Sequence, residues 1–166
     1  RRYYYRVTSF DTASPFENES FFSDSQPSDS AVYTSRINWY VNDTATAEDS
    51  YTYAGGSDTS YGDGTATKPF RTIPMAMRYA TAGDTIWVDA GTYDSYVHIN
   101  GLNTETTGVN IDKDSITIIG KDSGATVIDP PGDSNRINTY GVYADTQAGL
   151  IVKNIGVRGA YDGILF

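Results

Sequence analysis

Cysteine is absent from the 166 residues, which excludes a disulfide scaffold, thiolate metal ligands and a cysteine nucleophile. Basic charge is scarce. With 12 Lys and Arg against 21 Asp and Glu, the net charge is −9, so the chain lacks the cations that neutralise phosphates and nucleic acid is not expected as a partner. No apolar run reaches the roughly 18 to 20 residues that span a bilayer, so no membrane span is expected in this segment. Histidine occurs once, as His98. A Ser-His-Asp triad would need a nucleophile and an orienting carboxylate around it, and no local signature supplies them. His98 therefore reads as a surface residue on a strand.

Asp, Ser, Thr, Gly and Tyr fill the space that Lys and Cys leave. That makeup suits short strands joined by polar turns on an extracellular or cell-surface protein. Tyr3, Tyr5, Val7 and Ser9 alternate with Tyr4, Arg6, Thr8 and Phe10, the period-two pattern of a strand with two unlike faces. A polar stretch with Ser23, Pro27 and Ser30 follows and offers little to bury, so 25–36 reads as a linker. Ile37, Trp39 and Val41 then alternate with polar partners as one further strand. The loop from Gly55 to Thr65 carries Gly56, Gly62 and Gly64 among turn-forming Asp and Ser, which breaks both helix and strand. Within it, Asp58 and Asp63 are candidate oxygen ligands for Ca²⁺. Turn stabilisation is the commoner role for such residues, because Asp commonly bonds its own backbone in turns.

A helix is predicted next. Thr72 suits its N-cap, Pro74 its first turn and Gly83 the left-handed position beyond its end. Ile73, Ala76, Met77 and Ala80 share one face, which is expected to cover the open end of a β-stack. Asp84 is expected to fix the turn after Gly83. Beyond it come short apolar clusters: Ile86 to Val88, Val97 to Ile99, Ile116 to Ile119, Val127-Ile128, Val142-Tyr143, Leu150 to Val152, Ile155 to Val157 and Ile164 to Phe166. Connections this brief leave no room for βαβ crossovers. Gly141-Val142-Tyr143-Ala144 recurs in type as Gly163-Ile164-Leu165-Phe166, the interval expected of a coil with three strands per turn. A β-sandwich is the other architecture these clusters allow.

Two resemblances bear on the choice. Tyr3 to Asp11 with Asn18-Glu19-Ser20 resembles the last strands of a fibronectin type III module, which implies such a module's tail over 1–24 with Tyr3 at the tyrosine-corner position. Trp39-Tyr40-Val41, the Gly56 to Thr65 loop, Pro69-Phe70-Arg71-Thr72-Ile73, Gly83-Asp84-Thr85-Ile86 and Ala90-Gly91-Thr92-Tyr93 resemble the N-terminal cap of the pectate-lyase-like superfamily. Ser115 to Gly120, Val127-Ile128-Asp129 and Ile151 to Asn154 carry that likeness into the first coils.

The second resemblance implies an all-β fold over 37–166: a truncated right-handed parallel β-helix, a three-sided solenoid under a capping helix. It also implies a carbohydrate-active protein, a lyase or glycoside hydrolase on extracellular polysaccharide, with its cleft on coils after Phe166. A non-catalytic surface or adhesion protein is the alternative, since fold does not fix function. Cleavage of an acidic polysaccharide by elimination needs a cation against the uronate and a base to take the α proton. Lys153 and Arg158 are the basic residues on the last coil. Tyr140, Tyr143 and Tyr161 either stack on sugar rings or pack against neighbouring coils. Asn154 resembles the residue that forms buried amide ladders in β-helix turns, so it is expected to be structural and paired to backbone.

Overall fold

The structure is a computed structural model that describes residues 37–59, 61–99, 105–131 and 139–166, with the backbone of 10–11 and 18–19. The chain divides into two compact units, Arg1–Ser35 and Arg36–Phe166. In the first, strands β1 (Phe10–Asp11) and β2 (Asn18–Glu19) pair antiparallel, Phe10 opposite Glu19. Tyr3 and the linker at 25–36 lie outside the described residues.

Among the described residues the second unit is all-β but for one short helix. Strand β3 (Asn38–Val41) leads through the Gly-rich loop to helix α1 (Ile73–Tyr79). Then follow β4 (Thr85–Val88), β5 (Gly91–Tyr93), β6 (Val97–His98), β7 (Thr106–Ile111), β8 (Thr117–Gly120), β9 (Thr126–Ile128), β10 (Thr139–Ala144), β11 (Ile151–Lys153), β12 (Gly156–Val157) and β13 (Asp162–Leu165). Three sheets result, with strand orders β3-β4-β8-β11, β5-β9-β12 and β6-β7-β10-β13. From β7 onward the chain visits the three sheets in rotation and lays each strand parallel on the one from its previous visit. One antiparallel pair interrupts the scheme, β6 on β7 with Val97 opposite Thr107.

Register stacks like on like. Ile86 lies on Ile118 and Ile118 on Val152, while Val109 lies on Val142 and Val142 on Ile164. Ile86, Ile118, Val109 and Val142 have no solvent exposure, and each such side chain contributes roughly 1.5–3 kcal/mol by leaving water. The recurrence of Gly141-Val142 as Gly163-Ile164 is a real register, since Val142 pairs with Ile164. Earlier visits are separated by longer stretches of chain, as Ile86 to Ile118 and Ile118 to Val152 illustrate.

The helix buries Ile73, Ala76 and Met77 against the stack. Thr72 caps it by accepting a hydrogen bond from Met75 N, and Pro74 stands in the first turn. The end differs from expectation: the helix stops at Tyr79 with Ala80 as an extended C-cap, so Gly83 is not its C′ residue. Its φ of +91° instead shapes the turn into β4, a conformation that Gly adopts without steric cost. Strands β5 and β7 are the elements of the stack that the apolar clusters miss; in β7, Thr106, Thr107, Gly108 and Asn110 dilute Val109 and Ile111.

Candidate functional site

Two tyrosines come together on the β6-β7-β10-β13 sheet because a strand bends. Tyr140 and Tyr143 are three residues apart, and in a straight strand an odd spacing puts side chains on opposite faces. Here their ring centroids are 5.4 Å apart with the planes tilted by 48°. The burial pattern along β10 explains it. Gly141 and Val142 are both buried between two half-buried tyrosines, so the alternation resets at Gly141. A Cβ at Gly141 would strike the Val157 side chain and come within 2.5 Å of the Gly163 carbonyl. Gly108, one strand below, is as tightly enclosed, 2.5 Å from Ile128 Cγ2. Glycine at this corner lets β9 and β12 approach and turns both tyrosines outward.

Tyr161, 68% exposed, precedes β13 and anchors it by donating its N–H to the Thr139 carbonyl at 2.7 Å. Asp162 lies directly opposite Tyr140 in the register. The Tyr140 hydroxyl is held above its ordinary pKa, first by partial desolvation and then by the carboxylates of Glu105 and Asp162, with Tyr143 and Tyr161 close by. No Lys or Arg occurs on β6, β7, β10 or β13. Aromatic rings in half-exposed pairs beside carboxylates can stack on an apolar ring face and accept hydrogen bonds from its substituents. The three tyrosines singled out in the sequence therefore share one surface with two acids that the sequence did not single out.

The carboxylates of the cap hold its turns. Asp58 accepts from Arg71 N at 2.8 Å, Thr72 N at 3.2 Å and Thr72 Oγ1 at 2.7 Å, so it secures the start of α1. Asp63 accepts from Thr65 N and Oγ1 within its turn, and those bonds hold its pKa below the usual value. The two acids thus serve separate turns, and no cluster of three or more acidic, His or Cys ligands occurs among the described residues. Buried Asp84 reaches beyond its own turn: besides Thr81 N and Oγ1 it accepts from Ile37 N at 2.9 Å and from Trp39 Nε1 at 3.0 Å. Trp39, Phe70 and Tyr79 complete this corner with ring centroids 5.2–6.1 Å apart.

Sequence reasoning missed Asp89, which accepts as many hydrogen bonds as Asp84. It has no solvent exposure and accepts from Ser50 N, Tyr51 N, Thr52 N and Thr52 Oγ1 at 2.6–2.9 Å, which clamps the 50–52 loop onto the stack. Nearby, fully buried Asn42 donates to the Ala45 and Ala54 carbonyls and, at 2.7 Å, to Asp49 Oδ2. The remaining oxygens of this pair, Asn42 Oδ1 and Asp49 Oδ1, are buried without a partner. Burial raises the Asp49 pKa, and Asp89 and Asp43 add to it against the Asn42 hydrogen bond and Lys121.

His98 is exposed on β6 with its ring edge-on to Tyr96 at 5.7 Å. It borders a cleft of about 250 Å³ with Arg78, Asp112 and Lys113. The Lys113 ammonium is committed to the Met77 carbonyl at 3.0 Å and to Asp112 at 2.6 Å. Arg158 pairs with Asp129 at 2.9 Å, and Lys153 is exposed on β11, a different sheet from the tyrosines. Asn154 departs from expectation. It is exposed, with a left-handed φ of +59°, and makes the turn between β11 and β12. Its carbonyl, not its amide, sits against the preceding pass, where Gly120 leaves room for it.

The observations define an all-β protein with parallel strands stacked in three sheets and an aromatic, acidic outer face. A family model described as "Protein of unknown function (DUF1565)" matches residues 54–129, from the Gly-rich loop through β9, and this family is associated with right-handed β-helix proteins. The chain is also similar to the uncharacterized protein YwoF of Bacillus subtilis (strain 168), with 24% identity over 157 residues that take in 77% of this chain and 34% of that protein. It thus spans about a third of the relative's length. No solved structure matches it. Among the described residues no helix is long and apolar enough to cross a membrane.

Proposed function

We propose that this chain is the capped N-terminal part of a right-handed, three-sided parallel β-helix that works on extracellular polysaccharide. It belongs to the pectate-lyase-like superfamily in this reading, and its own role is to hold the polymer. The Tyr140–Tyr143 pair with Tyr161 carries the reading. Sugar rings present an apolar C–H face that stacks on aromatics, and neighbouring carboxylates accept their hydroxyl hydrogens. The rotation of strands through three sheets supports the solenoid, and the family match over 54–129 agrees with it. Bond cleavage, by elimination or hydrolysis, is assigned to coils C-terminal to this segment.

A second reading, a non-catalytic adhesion or display protein, is favoured by a separate observation. Asp58, Asp84 and Asp89 spend their oxygens on backbone donors and are occupied in holding the cap together. Neither reading places catalysis here. Pull-down of the chain on a panel of insoluble polysaccharides tests what the two share. Retention is expected for the native chain and should fall at least about tenfold for Tyr140→Ala/Tyr143→Ala, as two lost stacking contacts imply. A chain that passes every polysaccharide unretained would end the proposal.

A further inference from the structure

The tyrosine surface also has a sign of charge, and its neighbours decide which sugars suit it. Glu105 and Asp162 flank Tyr140 from two directions. Glu105 stands immediately before β7, which pairs with β10 on one side, and Asp162 opens β13, which pairs with β10 on the other. Asp162 is exposed and Glu105 half-buried, so both carboxylates are within reach of a ligand lying on the rings. Among the described residues Arg158 is paired with Asp129, Lys113 with Asp112 and the Met77 carbonyl, and Lys121 with the Glu48 carbonyl; Lys153 lies on another sheet, and Arg78 borders the cleft beside His98. The whole chain adds a background of −9.

A uronate laid on the Tyr140 end of this face would meet two carboxylates, and like charges at close range disfavour binding. A protonated amine would find the reverse, because charge-assisted hydrogen bonds from an ammonium to a carboxylate are shorter and about twice as strong as neutral ones. Aromatic faces attract cations as well. A neutral sugar gains the stacking and none of the charge. On these grounds we infer that the Tyr140–Tyr143 face, flanked by Glu105 and Asp162, selects polysaccharides of amino sugars with free amines over polyuronates and neutral glucans. The inference rests on the polysaccharide reading above and sharpens it. It departs from the acidic substrate that the pectate-lyase-like resemblance suggests, since charge complementarity at this face has the opposite sign.

Calorimetric titration of the chain with three soluble oligosaccharides of equal length tests it: glucosamine, its N-acetylated form, and galacturonate. The glucosamine oligomer is expected to bind at least tenfold more tightly than its acetylated form at low salt, with the galacturonate oligomer weakest. Added salt should narrow the gap by screening the carboxylates. Asp162→Asn should remove most of the preference for the free amine, bringing the affinities for the amine and its acetylated form close together. Asp162 is exposed, and an unchanged thermal melt will show that the variant is folded. Glu105→Gln gives a second, independent reading of the same effect.

Equal affinity for the amine and its acetylated form overturns the charge inference and leaves polysaccharide binding standing. Preference for galacturonate overturns it outright. Binding of none of the three, with the insoluble panel also negative, brings down the polysaccharide reading and this inference together.

Discussion

The cap and the stack beneath it are held by different forces. Between residues 37 and 84 the described chain makes one four-residue strand and a seven-residue helix, and the rest is tied down by bonds between loop backbones and by Asp58, Asp84 and Asp89, which accept from backbone N–H groups. From β4 onward the chain relies on aliphatic columns such as Ile86–Ile118–Val152, with parallel pairing between those passes. The lesson concerns geometry. Irregular backbone leaves some donors without a backbone partner, and these carboxylates accept from them. Stacked strands satisfy theirs through neighbours and need only apolar faces in register. One region should be broken by loss of charge and the other by its introduction.

The largest effect is expected in the stack. Ile118→Asp places a carboxylate at a position with no exposure, and the cost of burying it exceeds the ~1.5–3 kcal/mol that the native side chain contributes. Circular dichroism should show no cooperative melt; retention of one would refute the inward placement of Ile118. Next comes the cap. Asp89→Ala leaves the N–H groups of Ser50, Tyr51 and Thr52 without their acceptor. It should cost about 3 kcal/mol or more, given 1–3 kcal/mol for each buried donor left unsatisfied. Denaturant unfolding measures this, and a loss under about 1 kcal/mol would mean that the 50–52 loop finds other partners.

Gly141→Ala probes the corner between sheets. Its Cβ meets Val157 and the Gly163 carbonyl, and overpacking of this kind costs typically about 1–3 kcal/mol. It should also turn Tyr140 away from Tyr143 and weaken sugar binding more than stability alone accounts for. An unperturbed melt with native binding would contradict the role given to this glycine. Thr72→Ala should cost ~1 kcal/mol through the lost N-cap, read as a small drop in Tm.

The smallest effect is a pH dependence. The raised Asp49 pKa means that the fold favours its protonated form. Its stabilising contribution is therefore complete below the ordinary Asp value of about 4 and is lost as pH rises through the raised folded value. Asp49→Asn cannot ionise and can donate to Asn42, so its Tm relative to the native chain should climb across that window. A difference that stays flat with pH would show that Asp49 titrates normally.

How far the sequence speaks follows the same division. Ile116 to Ile119, Val127-Ile128 and Leu150 to Val152 declare the stack because burial repeats at short range, and Thr72, Pro74 and Ile73 declare the helix start. Asp89 is silent, because its partners at Ser50 to Thr52 are far away in sequence and carry no pattern of their own. Gly83 misleads by standing where a helix end would want it, while the helix stops earlier. Asn154 misleads in another way: its left-handed backbone, not its amide, is what the turn uses. Tyr140 and Tyr143 were legible as aromatics but not as a pair, since their spacing predicts opposite faces until the bend at Gly141 is known. Glu105 and Asp162 acquire meaning only through the register that puts them beside Tyr140.

The account depends on parallel stacking in register, and nuclear Overhauser contacts between backbone protons of an isotopically labelled chain test it most directly. Parallel contacts are expected to join Thr85–Val88 to Thr117–Gly120 and Thr117–Ile119 to Ile151–Lys153, in the order Ile86, Ile118, Val152. Short Hα–Hα contacts of antiparallel pairing between those segments, or none linking them, would contradict it.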